Sequence, residues 1–375
     1  MSRINFALAA QADDAELRRL LRENPLPGAI SLTFEREPCY FQAAAVEGPF
    51  HQTVLGREAE TGEIVGMGSR SVRPVYLNGA VQSVGYMSHL RANLRRPWGL
   101  SLARHLAQGF EFCRRLHADG RAPFYLTSVI ADNRPARRLL SSGLPGMPRL
   151  HEYARLHTYA VAPARRKPPL PLPRGLRLAR GNAGYIDGIV DCLQRNGARR
   201  QFFPHWTTHT LCSPDQTPGL APEDFFLALD GERVVGCLAL WDQSGFKQTV
   251  VRGYSGATAR WRWAINLAAN LSGLPVLPPP GASLLYCHAS HLACDDDDPE
   301  LFAALLRAFY NAVAECGYDY FLIGLSSADP LRAVVTRTYR YITYTSQLYL
   351  VAWEDGREAV SQVDARVPGP EIAIL

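Results

Sequence analysis

Apolar residues recur along this chain in two rhythms. Leu102, Leu106, Phe110, Cys113 and Leu116 follow the spacing of one helical face, so a long helix is predicted there. A strand-like apolar run from Val84 to Leu90 precedes it. Phe124-Tyr125-Leu126-Thr127-Ser128-Val129-Ile130 follows as a second strand. Near the start, Ile4-Asn5-Phe6-Ala7-Leu8 predicts a strand and Leu17, Leu20 and Leu21 the buried face of a helix. Tyr76-Leu77-Asn78-Gly79-Ala80-Val81 predicts a tight hairpin, because Asn-Gly suits the positive φ angles of a type I′ turn.

The same rhythms return in the second half. Leu176 to Arg180 echoes residues 4–8, with Ile189, Cys192 and Leu193 at the helical apolar places. Gly62-Glu63-Ile64-Val65-Gly66 is echoed by Gly231-Glu232-Arg233-Val234-Val235-Gly236. Gly120, Phe124, Ala131, Asp132 and Ala136 map onto Gly317, Phe321, Ala328, Asp329 and Ala333 at a constant offset of 197. The offset is about 170 earlier in the chain, so the second copy is expected to carry an insert of about 27 residues near Arg260 to Gly281. A proline-rich basic stretch, 163–173, separates the copies and is expected to act as a linker. The domains are therefore read as 1–162 and 174–355, with 356–375 as a polar tail.

Between the first copy's apolar strand and its long helix stand Arg95 and Arg96-Pro97-Trp98-Gly99-Leu100-Ser101. Such a turn suits an anion: glycine permits close backbone approach, free N–H groups point outward, and the helix start carries partial positive charge. Asp132-Asn133 with Ala136 follows the next strand. Together the two elements resemble the acyl-coenzyme A signature of the GNAT (Gcn5-related N-acetyltransferase) superfamily. That resemblance implies an α/β (α+β) fold of two tandem GNAT-like domains, each a mixed, mostly antiparallel sheet flanked by helices. It implies acetyl-CoA or another acyl-CoA as co-substrate, and acyl transfer to a small-molecule or peptide amine. It places Leu90, Arg91 and Ala92 along the pantetheine arm, with a backbone N–H there for the thioester oxyanion. Asn133 would stand beside the pantetheine, and Ala136 would let the following helix approach. The family's frequent tyrosine acid would fall at 140, where this chain has Leu140.

Four residues are candidates for proton transfer or acceptor recognition. His89 precedes the cofactor segment, and free imidazole titrates near neutrality. Glu35, Glu37 and Tyr40 lie after the first helix, the region that lines the acceptor pocket in GNAT relatives, although a solvated charged turn explains them equally well. With an ungapped offset of 197, Trp98 to Ser101 fall on Asp295-Asp296-Asp297-Asp298. Four carboxylates would repel a pyrophosphate, so the second copy is expected to be degenerate, with aspartates that suit a helix start.

Composition trims the alternatives. A net charge of +5 over 375 residues is too small and scattered to argue for nucleic acid. No apolar run is long enough for a membrane span, and no signal peptide is read at the start, so a cytoplasmic enzyme is expected. Eight cysteines without a framework read as free thiols of the core. Cys287-His288-x-x-His291-x-x-Cys294 has metal-ligand types, but neighbouring strand residues face opposite ways, and no metal is expected. Two other functions remain: a Fem-like transferase using aminoacyl-tRNA, and a non-catalytic acyl-CoA sensor. The arginine-glycine loop argues against the first; Leu140 favours the second.

Overall fold

The computed structural model describes residues 3–93, 98, 101–173, 175–272 and 274–375. The first half runs β1 (Ile4–Leu8), α1 (Asp14–Glu23), β2 (Ile30–Glu35), α2 (Tyr40–Ala45), β3 (Phe50–Glu58), β4 (Ile64–Leu77), β5 (Ala80–Ala92), α3 (Ser101–His117), β6 (Tyr125–Ile130), α4 (Arg134–Leu140) and β7 (Arg149–Val161). The second runs β8 (Leu176–Arg180), α5 (Ile186–Gly197), β9 (Arg200–Gln201), α6 (Thr208–Leu211), β10 (Phe225–Asp230), β11 (Arg233–Trp241), β12 (Gln248–Tyr254) and α7 (Gly256–Ser272). It continues through β13 (Tyr286–Cys294), α8 (Pro299–Cys316), β14 (Tyr320–Ser326), α9 (Arg332–Thr338), β15 (Tyr341–Ala352), α10 (Arg357–Ser361) and β16 (Val367–Pro368).

The helices form where their apolar faces find the sheet. Leu17, Leu20 and Leu21 bury one face of α1. Helix α8 begins with Asp298, which accepts from the N–H groups of Glu300 and Leu301, and Pro299 follows at the first helical position. It ends at Gly317 with φ 79°, and Leu305, Phe309 and Val313 lock it onto the sheet. Asn78 and Gly79 both have positive φ, as the hairpin between β4 and β5 requires.

The two copies share one sheet of 12 strands, in the order β1-β3-β4-β5-β6-β15-β7-β14-β13-β11-β10-β8. The sheet is mostly antiparallel, with parallel pairs at β5–β6 and β13–β14. The last strands are exchanged: β15 pairs with β6 of the first half, while β7 pairs with β14 of the second. Each half is thus completed by the other.

Strand register also revises the alignment of the copies. Ser69 faces Ser88 and Met67 faces Arg91, whereas Ala239 faces Ser290 and Cys237 faces Ala293. Ser88-His89-Leu90 therefore coincides with Ser290-His291-Leu292, an offset of 202 rather than 197. Both pairs carry a bulge at this point, and His89 and His291 have φ of 53° and 52°. The ungapped alignment failed because the connection after β13, residues 295–298, is shorter than the one after β5, residues 93–100.

Other segments differ from expectation. The stretch 163–173 is anchored on the second half: Lys167 exchanges backbone hydrogen bonds with the Asn311 side chain, and Arg307 donates to the Pro168 carbonyl. Residues 356–375 do not form a polar tail; they pack back across both halves and bury Ala373 and Ile374. All eight cysteines are free, but only Cys192, Cys237, Cys287 and Cys294 are buried, and Cys212 and Cys316 are exposed. Among the described residues, no helix is long and apolar enough to cross a membrane.

Candidate functional site

The site begins where β5 leaves β6. The two strands pair only at Gly85 and Tyr86. A Cβ at Gly85 would lie 2.1 Å from the Tyr125 ring, so only glycine allows that approach. Beyond Tyr86 no residue of β5 pairs with β6, and the inner edge from Met87 to Ala92 is open apart from Thr127, whose hydroxyl donates to the Met87 carbonyl. An extended amide-bearing ligand can add to such an edge as a strand would.

On the other side of β5, the turn after α2 drives a carboxylate inward. A Cβ at Gly48 would stand 2.7 Å from the Val72 carbonyl oxygen, so this turn is pressed against β4 and its Glu47 is fully buried. Glu47 Oε2 accepts from Ser88 Oγ at 2.7 Å, and Oε1 lies 2.6 Å from His89 Nε2. Arg36 Nη2 contacts both that oxygen and that ring nitrogen. The His51 ring nitrogen is 4.0 Å from Glu47, and Arg36 lies over the Tyr40 ring at 5.2 Å.

Burial alone would raise the Glu47 pKa, but His89, Arg36 and His51 hold it well below the usual carboxylate range. His89 is pushed down to about 4, first by burial and then by Arg36. His51 is also lowered to about 4, chiefly by burial. At neutral pH the cluster is thus an ionised carboxylate beside neutral imidazoles. Glu47 calls for the Nε2–H tautomer of His89, whereas Arg36, which can only donate, calls for a bare Nε2.

The cluster continues toward the second half. A small cavity of about 30 Å³ is lined by Glu47, Arg73, Tyr86, Phe202, Glu371 and Leu375, room for about one water. Arg73 stacks 5.2 Å over Trp206, and burial lowers its pKa to about 10. Arg36 Nη1, Arg73 Nε and Nη1 and His51 Nε2 are buried without a protein partner, so the cluster holds donors in reserve. Lys247 is lowered to about 7, first by burial and next by Arg36, and donates to the Ala373 carbonyl at 3.2 Å. A separate open groove of about 560 Å³ runs between α3 and residues 144–146, floored by Ala103 and Ala107.

Of the residues expected from sequence, His89 and Tyr40 enter this cluster. Tyr40 does so from below, with its hydroxyl 2.9 Å from both Thr53 and Ser69. Glu35 and Glu37 are engaged elsewhere: Glu35 pairs with Arg252, and Glu37 with Arg18 and Arg22. Leu90, Arg91 and Ala92 lie on the open stretch of β5. Asn133 caps α4, accepting from the Ala136 N–H at 3.2 Å, and Leu140 is buried against Tyr125 and Val129. Trp98 donates to the Asn93 carbonyl, and the Ser101 hydroxyl donates to the Trp98 carbonyl. Arg95, Arg96, Pro97, Gly99 and Leu100 lie outside the described residues. Sequence reasoning missed Glu47, Arg36, Arg73 and Glu371. Arg36 sits between the two glutamates that drew attention, while Glu47 has no local signal. Among the described residues, no group of three or more His, Cys, Asp or Glu is placed to hold a metal.

In the second half the corresponding site is filled. The His291 ring lies 4.4 Å from Trp206 and 5.7 Å from Trp241, all three buried. Asp295 pairs with Arg195 and Arg233, and Asp297 with Arg199 and Arg200. The aspartates neutralise arginines of their own half.

No family model matches the sequence, and no curated protein does. Solved structures match across nearly the whole chain. A GCN5-related N-acetyltransferase from Sphaerobacter thermophilus superposes with TM-score 0.54 at 13% identity, over 92% of this chain and 95% of that one. An N-myristoyltransferase from Saccharomyces cerevisiae with bound myristoyl-CoA gives 0.59 at 12% identity, over 94% and 79%. A conserved protein from Enterococcus faecalis, described as a probable N-acyltransferase, gives 0.50 at 9%, over 93% and 72%. The chain therefore has the GNAT fold.

Proposed function

We propose that this protein is an acyl-CoA-dependent N-acyltransferase whose first half binds the thioester and whose acceptor amine enters from the junction of the halves. One observation carries the reading: β5 opens away from β6 beside a buried Glu47–His89 pair, immediately before the Arg95–Ser101 segment. The described neighbours fit it, since one is an N-acetyltransferase and another holds myristoyl-CoA.

In this reading the pantetheine amides pair with the open edge at 87–92, and a backbone N–H there meets the thioester oxygen. The arginines and glycine of 95–101 receive the pyrophosphate. His89, neutral and held through Nε2–H by Glu47, accepts the amine's proton at Nδ1, and the carboxylate stabilises the resulting imidazolium. The amine nitrogen bonds to the acyl carbon as the carbon–sulfur bond breaks. The thiolate leaves without Leu140's help, and coenzyme A is a tolerable leaving group near neutral pH.

Thiol release from acetyl-, octanoyl- and myristoyl-CoA, measured with the full chain against a panel of amines, tests this. Release that requires both acyl-CoA and amine supports the reading, with acetyl-CoA the first donor to try. Tight acyl-CoA binding without amine-dependent release would instead make the protein a sensor, the role that a buried Leu140 favours. No binding of any acyl-CoA would end both.

A further inference from the structure

The insert of the second half forms a helix turned inside out. Strand β12 pairs with β2, and α7 follows it at once. The side of α7 that faces the protein is polar. Arg262 Nε and Nη2 donate to the Leu277 carbonyl at 3.2 and 3.1 Å, and Asn266 both donates to that carbonyl and accepts from the Leu277 N–H. Arg262 also lies over Tyr254, whose hydroxyl donates to the Pro278 carbonyl. These bonds clamp a loop stiffened by Pro275, Pro278, Pro279 and Pro280.

The opposite side is apolar and in water. At helical spacing Trp263, Leu267 and Leu271 share one face with Arg260, and Trp261 and Ile265 flank them. Their exposures reach 67% for Trp263, 55% for Leu267 and 83% for Leu271, and Ala269 is the one buried residue of the helix. Leu274, Val276 and Leu285 extend the exposed apolar surface beyond the helix. A patch of this kind marks an interaction site.

Charge selects the occupant. No Asp or Glu stands between Asp242 and Asp295, and Arg260 is the exposed cation of α7; Arg252 is paired with Glu35, and Lys247 and Arg262 are turned inward to the Ala373 and Leu277 carbonyls. A second copy meeting this face about a two-fold axis would bring Arg260 toward its own mate with no carboxylate of the segment to offset the pair. An anionic bilayer offers acyl boundary for the tryptophans and leucines and phosphate for Arg260.

We infer that the exposed face of α7, with Trp261, Trp263, Leu267, Leu271 and Arg260, is a docking surface for an anionic lipid bilayer. The inference does not depend on the acyl-transfer reading. Its consequence is positional: β12 leads directly into α7 and is hydrogen-bonded to β2, and the Gln248 side chain bonds the backbone of Glu37, next to Arg36. The acceptor side of the candidate site is tied to the docking face.

Phosphatidylcholine vesicles with and without phosphatidylglycerol test it, read by co-sedimentation and tryptophan emission. Trp261 and Trp263 are the exposed tryptophans, so insertion should shift the emission to shorter wavelength. Binding should require the anionic lipid and weaken with salt. The combined change Trp263→Ser, Leu267→Ser, Leu271→Ser should weaken binding by about tenfold or more, since each exposed side chain would otherwise bury apolar area. Arg260→Glu, a change at a single exposed position, should weaken it without touching the fold. Failure of the wild-type chain to bind anionic vesicles overturns the inference. So does equal binding by both variants. A solution dimer that the triple variant splits would assign the face to a second copy and overturn it as well.

Discussion

His89 and His291 occupy the same place in the two halves, on the same bulge, after the same serine and before the same leucine. Their surroundings diverge. Both stand just past the point where their strand leaves its parallel partner, after Tyr86 and after His288, but His89 meets a buried carboxylate. His291 is enclosed by Trp206, Trp241 and Phe225, and its backbone N–H is taken by Glu371 at 2.7 Å. The bulge is thus a property of the fold, needed wherever the strand turns away. Around the ring on that bulge the first half places a carboxylate and the second half aromatic side chains.

The largest expected difference lies in the carboxylates of the two halves. Glu47→Ala leaves Arg36 buried without its partner and should cost about 3–5 kcal/mol of stability. Asp295→Ala removes pairs that are partly exposed and should cost about 1–2 kcal/mol. Urea unfolding of both variants checks the order, and equal costs would break the contrast. In the double variant Glu47→Gln, Arg36→Met most of the stability should return, whereas turnover should stay low because His89 has lost its carboxylate.

Acid should act on both halves. His51 and His89 sit near 4, and burial, with Lys247 facing His288 and Arg73 facing His291, takes those two down to about 3. Each folded value lies below the unfolded 6.5, so the unfolded chain binds more protons between the two. The stability these groups contribute is therefore complete above about pH 6.5 and is lost as pH falls toward 4 and below. Glu47, held low, adds to the loss at the acid end. Melting temperature against pH should fall steeply over that window, and a flat profile from 7 to 4 would refute the burial of neutral imidazoles.

The lowered value of His89 also sets the rate profile expected of it. A free histidine would give an ionisation near neutrality, but burial beside Arg36 moves that of His89 to about 4. Turnover that depends on neutral His89 should hold across neutral pH and fall only toward that value. His89→Gln should lower turnover by about a hundredfold with acyl-CoA affinity little changed. His291→Gln should leave the rate alone and lower stability instead, because the ring fills an aromatic box. Rate loss from His291→Gln in a stable protein would give the second half a part in the chemistry.

Much of this was legible in the sequence, and the exceptions share a cause. The repeat, the long helices and the Asn78-Gly79 hairpin depend on residues close in the chain. Exchange of β7 and β15 depends on pairing between distant strands, and period-two alternation does not name a partner. Glu47 reads as a polar turn after α2 until Val72 is seen to press that turn inward. The repeated Ser-His-Leu was a visible signal for the correct register, but an alignment without gaps hides it behind the shorter 295–298 connection.

The smallest contrast lies at the two helix starts that follow these strands. Asp298 holds two N–H groups of α8, at 2.8 and 3.2 Å, so Asp298→Ala should cost about 1 kcal/mol. Its effect on turnover should be nil. Ser101 stands at the start of α3, but its hydroxyl turns back to the Trp98 carbonyl and gives no donor to a ligand. What it can give a phosphate is backbone, which alanine also has. Ser101→Ala should therefore change acyl-CoA affinity by less than about twofold and stability by less than Asp298→Ala does. Calorimetric titration of acetyl-CoA into both variants resolves effects of this size. A large loss of affinity from Ser101→Ala would mean that the hydroxyl rotates to the pyrophosphate on binding, and the first half's anion site would then depend on side chains more than on its helix start.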